Sequence, residues 1–235
     1  DYYNVSEEQV RVLLSYVEED MSHHTKQAVA FTLLKAIFAR KYLLPEVYDI
    51  AQKVAEMLVQ SPVLAIQQQC ASVFLQFLMD YPLGEKRMQQ HLGFVLNNLN
   101  FPHAQAREVI LELLNTIIFK FPPEVINTHA SFFFLPMVAH LVNDSSEKCR
   151  VMTSSIIKLL LQRSSAKNRI VLMKFITLWY THKSVKLRRA SAQVKAITIF
   201  FTKVSRVREF TLACLYTFAR ALSLSLFLSL SLSLS

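Results

Sequence analysis

The sequence predicts an all-α fold, an array of about five antiparallel helix pairs stacked side by side. Three observations carry that expectation. The chain has only two glycines in 235 residues, Gly84 and Gly93, whereas strand-rich and doubly wound folds need glycine at tight turns and phosphate loops. Apolar residues, 52% of the total, recur at helical spacing in segments divided by proline, asparagine and aspartate. Finally, Lys26, Gln67, Arg107, Arg150 and Arg188 stand near the start of the second helix of successive pairs, at intervals of 41, 40, 43 and 38 residues. Such a period, with two helices in each repeat, marks a chain in which every hairpin buries its apolar faces against its neighbours.

Taken in order, the pairs are expected over residues 6–40, 44–81, 84–121, 123–163 and 166–202. Ser6 caps a helix over 7–19 whose face is Val10, Leu13, Leu14 and Val17. Its partner over 25–39 turns Val29, Leu33, Leu34 and Ile37 inward. Pro45 suits the first turn of the third helix, which is lined by Val47, Ile50, Val54 and Leu58. After the break at Pro62 comes 65–79, with Cys70, Phe74, Phe77 and Leu78 inward. Residues 80–84 are a stop. The third pair joins 85–99 (Met88, Leu92, Val95, Leu99) to 104–121, where the doublets Val109-Ile110, Leu113-Leu114 and Ile117-Ile118 define a broad apolar face.

The fourth pair is the most informative stretch. An apolar run from Phe132 is broken by Pro136, which removes a hydrogen bond and bends the axis. A polar turn follows at 143–146, where Asn143 or Asp144 can cap the next helix. That helix repeats Ile156, Ile157, Leu160 and Leu161 on one face. The fifth pair is expected over 168–180 and 185–201.

From residue 203 the pattern fails. Leucine fills every even position from 222 to 234, with serine between them except at Phe227. A CT dinucleotide repeat read in frame encodes Leu-Ser, and one base change converts serine to phenylalanine. We therefore read 203–235 as a low-complexity tail arising from a gene-model artefact. A membrane segment over 210–234 is a poor alternative, given Arg220 and the serines. A native exposed tail is the third reading. The chain begins at Asp1 with no secretory pattern and reads as part of something longer. The glycosylation-type triplets at Asn4 and Asn143 are accordingly taken as chance. Cys70, Cys149 and Cys214, odd in number and far apart, read as buried thiols of a reducing compartment.

The net charge of +9 conceals a division. Residues 1–147 hold ten basic and sixteen acidic side chains; residues 148–235 hold sixteen basic and one acidic, and no acid occurs between Lys148 and Arg208. A field so one-sided favours polyanionic partners and responds to salt. Lys167, Arg169, Lys174, Lys183, Lys186 and Arg189 cluster at turns and helix starts of the fifth pair. They are candidates for contact with RNA or an acidic protein, against the plainer reading of a solvated basic face.

No phosphate-cradling loop, HExxH, CxxC or GxSxG is present, so neither a catalytic residue, a metal ligand nor a cofactor site is expected, and no enzyme. Adjacent His23 and His24 point about 100° apart, unlike metal ligands at i,i+4, and read as a solvated turn. His129, His140 and Cys149 read as packing residues. One of Phe132, Phe133 and Phe134 must point away from the hairpin seam, where a neighbouring repeat can cover it.

Leu135-Pro136, Leu141-Val142-Asn143-Asp144 and Cys149-Arg150 resemble the HEAT repeat, in which a proline bends the first helix, an aspartate sits in the turn and an arginine begins the second. That resemblance implies a HEAT-type α-solenoid, a right-handed superhelix with Pro136, Asp144, Arg107, Arg150 and Arg188 in repeat-structural roles. Further phrases are more specific: residues 80–87 (DYPLGEKR), 92–99, and 132–143 with Lys148-Cys149-Arg150. They resemble the component-twenty family of very large HEAT-repeat proteins of the small-subunit processome, over about residues 1–195. The resemblance implies a nucleolar, non-catalytic scaffold in the processing of pre-18S ribosomal RNA. Its implied partners are protein subunits of a pre-ribosomal particle and ribosomal RNA precursor or small nucleolar RNA, with no membrane and no small-molecule substrate. The alternative is another HEAT adaptor, such as a nuclear transport carrier, against which the basic second half speaks.

Overall fold

In the computed structural model the described residues are 5–204, with side chains described to residue 199. Among them the chain is α-helical with no strand. The helices are α1 (Glu7–Met21), α2 (Gln27–Ala39), α3 (Pro45–Gln60), α4 (Leu64–Asp80), α5 (Glu85–Asn97), α6 (Ala104–Lys120), α7 (Pro123–Thr128), α8 (Ala130–Asn143), α9 (Glu147–Arg163), α10 (Ala166–Tyr180) and α11 (Val185–Val204). Two compact units are present, residues 1–173 and 174–235. The expected boundary at residue 203, the low-complexity tail and Cys214 fall at or beyond the edge of the described residues.

In the first unit hairpins α1/α2, α3/α4 and α8/α9 pack face to face, and the second helices of successive pairs stack as α2 on α4, α4 on α6 and α6 on α9. The first helices meet as α1 on α3 and α5 on α8. This is the solenoid arrangement, because a two-helix unit has too little apolar surface to close on itself and must share it along the row. Every inward residue expected for α3, α4, α6 and α9 is buried. Val29 is a correction: it is 69% exposed, and α2 instead buries Ala30, Phe31, Leu34, Ile37 and Phe38. Leu13, Leu33 and Met88 are half-buried.

Ser6 makes a full capping box with Gln9. The cap of α9 differs from expectation. Ser146 accepts the amide of Cys149, while Asp144 turns back and accepts the amide of Ser146 at 2.6 Å. Pro136 lies inside α8, so Phe132 loses the amide donor its carbonyl would otherwise have. Phe133 and Phe134 are fully buried. Phe132 lies over Gly93 of α5, where an added Cβ would be 3.4 Å from its Cζ; a neighbouring repeat covers it.

Candidate nucleic-acid interface

The repeat solves one problem five times. Where each hairpin turns, backbone carbonyls leave the end of one helix without amide partners. A side chain near the start of the second helix reaches back to them. Gln27 Nε2 donates to Met21 O (2.7 Å) and Gln67 Nε2 to Ser61 O (2.8 Å). Arg107 Nη1 donates to Phe101 O and Pro102 O, Arg150 Nη1 to Asp144 O and Ser145 O, and Arg188 Nη1 to His182 O and Lys183 O. The first carbonyl is always six residues back. In the first pair the position therefore belongs to Gln27 and not to Lys26, which is exposed and paired with Asp20.

Arg107 does more than close its turn. Its Nε and Nη2 each lie 2.8 Å from an oxygen of Asp144, one repeat further on, in a bidentate pair whose side chains are 8% and 1% exposed. Burial alone would push Asp144 up, but hydrogen bonds from Arg107 and the Ser146 amide outweigh it and hold the carboxyl below its usual range. Beneath it, His140 sets Nδ1 2.9 Å from Thr153 Oγ1. Its Nε2 is 2.6 Å from Asp144 Oδ2, though outside hydrogen-bond geometry. Burial lowers the His140 pKa, against the opposing pull of Asp144. His140 is thus a member of a buried polar network, more than the packing residue the sequence suggested.

Charge is also closed off elsewhere in the first three and a half repeats. Arg11 meets Glu46, Lys53 meets Glu18, Lys41 meets Asp80 and Lys148 meets Glu108, each pair between successive repeats. Between Lys148 and Arg208 no acid remains to continue the pattern. Arginines there turn to carbonyls: Arg163 caps the end of α6 through Ile118 O and Phe121 O, and Arg169 donates to Ser164 O. Lys195 lies 4.1 Å from the centre of the Tyr180 ring.

The six basic candidates therefore divide. Arg169 is half-buried and spent on its own turn. Lys167, in the first unit, is exposed. In the second unit Lys174, Lys183, Lys186 and Arg189 are exposed, the last three around the start of α11. Sequence reasoning passed over Lys158, also exposed and without an acidic neighbour in its half of the chain. Its signal was available: it lies on the polar face of α9 opposite Ile156 and Ile157.

His23 and His24 are exposed. Among the described residues no group of three histidine, cysteine, aspartate or glutamate side chains is placed to hold a metal, and no helix is long and apolar enough to cross a membrane. Cys70 is buried, and its thiol is pushed up to about 12 by burial; Cys149 is buried with Sγ 3.8 Å from Ala104 O.

No family model matches the sequence. Two curated proteins do, both named U3 small nucleolar RNA-associated protein 20. The one from Schizosaccharomyces pombe is 31% identical over 212 residues, 88% of this chain and 8% of that protein. The one from Saccharomyces cerevisiae is 34% identical over 167 residues, 71% of this chain and 7% of that protein. The chain thus spans less than a tenth of the length of these relatives. Its stacked helical hairpins and these two likenesses make it a HEAT-type repeat segment similar to part of the U3 small nucleolar RNA-associated protein 20 family.

Proposed function

We propose that this chain is a non-catalytic scaffold segment in small ribosomal subunit biogenesis, acting within the nucleolar small-subunit processome during pre-18S ribosomal RNA processing. The likeness to two proteins named for association with a small nucleolar RNA supports the setting. The observation that carries the mode of action is the charge division. The first half pairs Arg11, Lys26, Lys41, Lys53 and Arg107 with acidic side chains, while Lys158, Lys167, Lys174, Lys183, Lys186 and Arg189 are exposed in a stretch with no acidic residue. Stacked hairpins offer long outer surfaces, which suit holding a partner. In this reading the exposed cations hold a ribosomal RNA precursor or small nucleolar RNA by its phosphates. The acidic first half meets protein subunits of the pre-ribosomal particle.

The test is co-sedimentation of the tagged chain with pre-ribosomal particles on a gradient. The expected result is migration with small-subunit precursors carrying small nucleolar RNA, released by salt. Migration with free protein at low salt, or with nuclear transport complexes, overturns the proposal.

A further inference from the structure

Arg107 uses both edges of its guanidinium. Nη1 closes its own turn, and the Nε–Nη2 edge grips the carboxylate of Asp144. Arg150 and Arg188 stand at the same station and make the same Nη1 bonds to the carbonyls six and five residues back. Their side chains are therefore held in place, yet their Nε–Nη2 edges meet no acceptor among the described residues.

The turn before Arg188 also lacks the carboxylate that the turn before Arg150 carries. Counting six residues back from Arg188, as Asp144 is six back from Arg150, gives His182. Its Nδ1 accepts the amide of Ser184 at 3.0 Å, just as Asp144 Oδ1 accepts the amide of Ser146. The turn keeps its internal hydrogen bond and loses its carboxylate. With Nδ1 an acceptor, the remaining ring nitrogen of His182 carries the proton and is a donor. A position that supplies an acceptor at residue 144 supplies a donor at residue 182. No acidic side chain between Lys148 and Arg208 can make up the loss.

We propose that Arg150 and Arg188 each receive a phosphate of an RNA backbone on the guanidinium edge that in Arg107 holds Asp144. A planar fork whose third nitrogen is already anchored is preorganised for a bidentate oxyanion, which a mobile lysine is not. Phosphate is favoured over a protein carboxylate by the surroundings. Arg188 sits among exposed Lys183, Lys186 and Arg189, an array that one carboxylate would leave largely unused and a polyanion would occupy. The repeat-structural role of these arginines and the binding role thus coexist on opposite edges of one group. This inference rests on the RNA-binding reading above.

The chain supplies its own control. Gln27 and Gln67 close their turns with a carboxamide, so Arg150→Gln and Arg188→Gln keep the turn bond while removing the fork and its charge. Thermal unfolding by circular dichroism should show both variants folded. Titration of the full chain with labelled oligouridine across a salt series should show each weakened by about tenfold. Each should also lower the slope of log affinity against log salt by about 0.7. Arg150→Lys and Arg188→Lys should keep the slope and still lose affinity, because the charge remains and the fork does not.

The triple variant Lys183→Gln, Lys186→Gln, Arg189→Gln separates this inference from the reading beneath it. If the triple variant lowers the slope by about 2 while the folded single arginine variants bind like the parent, the RNA reading stands and this inference falls. If the parent chain binds no oligouridine, both fall. Binding of a poly-glutamate peptide in preference to RNA, lost in R150Q and R188Q, makes the ligand a carboxylate and overturns the phosphate assignment.

Discussion

Arg107 and Arg188 occupy one station in the repeat and live in different electrostatic worlds. Around Arg107 the charges close on themselves: Asp144 takes its free edge, Lys148 meets Glu108 nearby, and His140 is buried beneath the pair. Around Arg188 the same backbone bonds form, but every neighbouring ionisable group is basic or histidine. The helical hairpin needs only the carbonyl clamp, which glutamine provides as well as arginine. What differs between the regions is therefore not a demand of the fold. Where an acid is within reach the residue's charge is satisfied inside the array, and where none is the charge stays unmatched.

The largest expected effect lies in the closed region. Asp144→Ala strands the buried Arg107 guanidinium and frees the Ser146 amide, and should destabilise the first unit by about 3–5 kcal/mol in urea unfolding. The double variant Arg107→Met, Asp144→Leu should recover most of that loss, since two uncharged side chains need no partner. A double variant as unstable as D144A would mean the pair stabilises beyond neutralising itself. In contrast, charge removal in the basic region, as in K183Q, should move stability by no more than about 0.5 kcal/mol.

Phenylalanines sharpen the same contrast between what the fold uses and what it leaves out. Phe133→Ala should cost about 3–5 kcal/mol, as for other fully buried aromatics. Phe119, 64% exposed on α6, should lose less than about 0.5 kcal/mol on the same change. Equal losses in the same urea titration would show that the outer face of α6 is covered.

Acidification tests the buried histidines. Burial lowers the pKa values of His91, His129 and His140. A histidine whose folded value is depressed is protonated more readily unfolded. Its stabilisation is complete above the unfolded value of about 6.5 and is lost as pH falls through the folded value. The midpoint of thermal unfolding should therefore fall between about pH 7 and pH 5, and His140→Gln should flatten that dependence. Asp144 acts in the same direction at lower pH: its folded value is depressed, so its contribution persists until pH falls through that value.

Lys41 tests the backbone conformation instead. It follows α2 with φ 57°, in the left-handed region that favours glycine. Lys41→Gly should raise stability by about 0.5–1 kcal/mol, less whatever the exposed Lys41–Asp80 contact at 3.7 Å contributes. A drop in stability on urea unfolding would give that ion pair more weight than exposed pairs carry.

Much of this was readable before any coordinates. Two glycines, the apolar doublets of α6 and the near-forty-residue spacing of the turn-closing residues specify stacked hairpins, because helical periodicity is local and each repeat restates it. Seeing that residues 148–208 hold basic side chains and no acid also needs only the chain. Tertiary structure alone decided which cations are free. Arg163 and Arg169 look as available as Lys158 and Lys167 in the sequence, yet carbonyls exposed at helix ends absorb the arginines. Gln27 rather than Lys26 closes the first turn, and the capping of α9 falls to Ser146, for the same reason. Whether a polar group is spent depends on which orphaned backbone atoms the fold brings within about 3 Å, in its own turn for Arg169 and Gln27 and in the neighbouring repeat some forty residues away for Arg163.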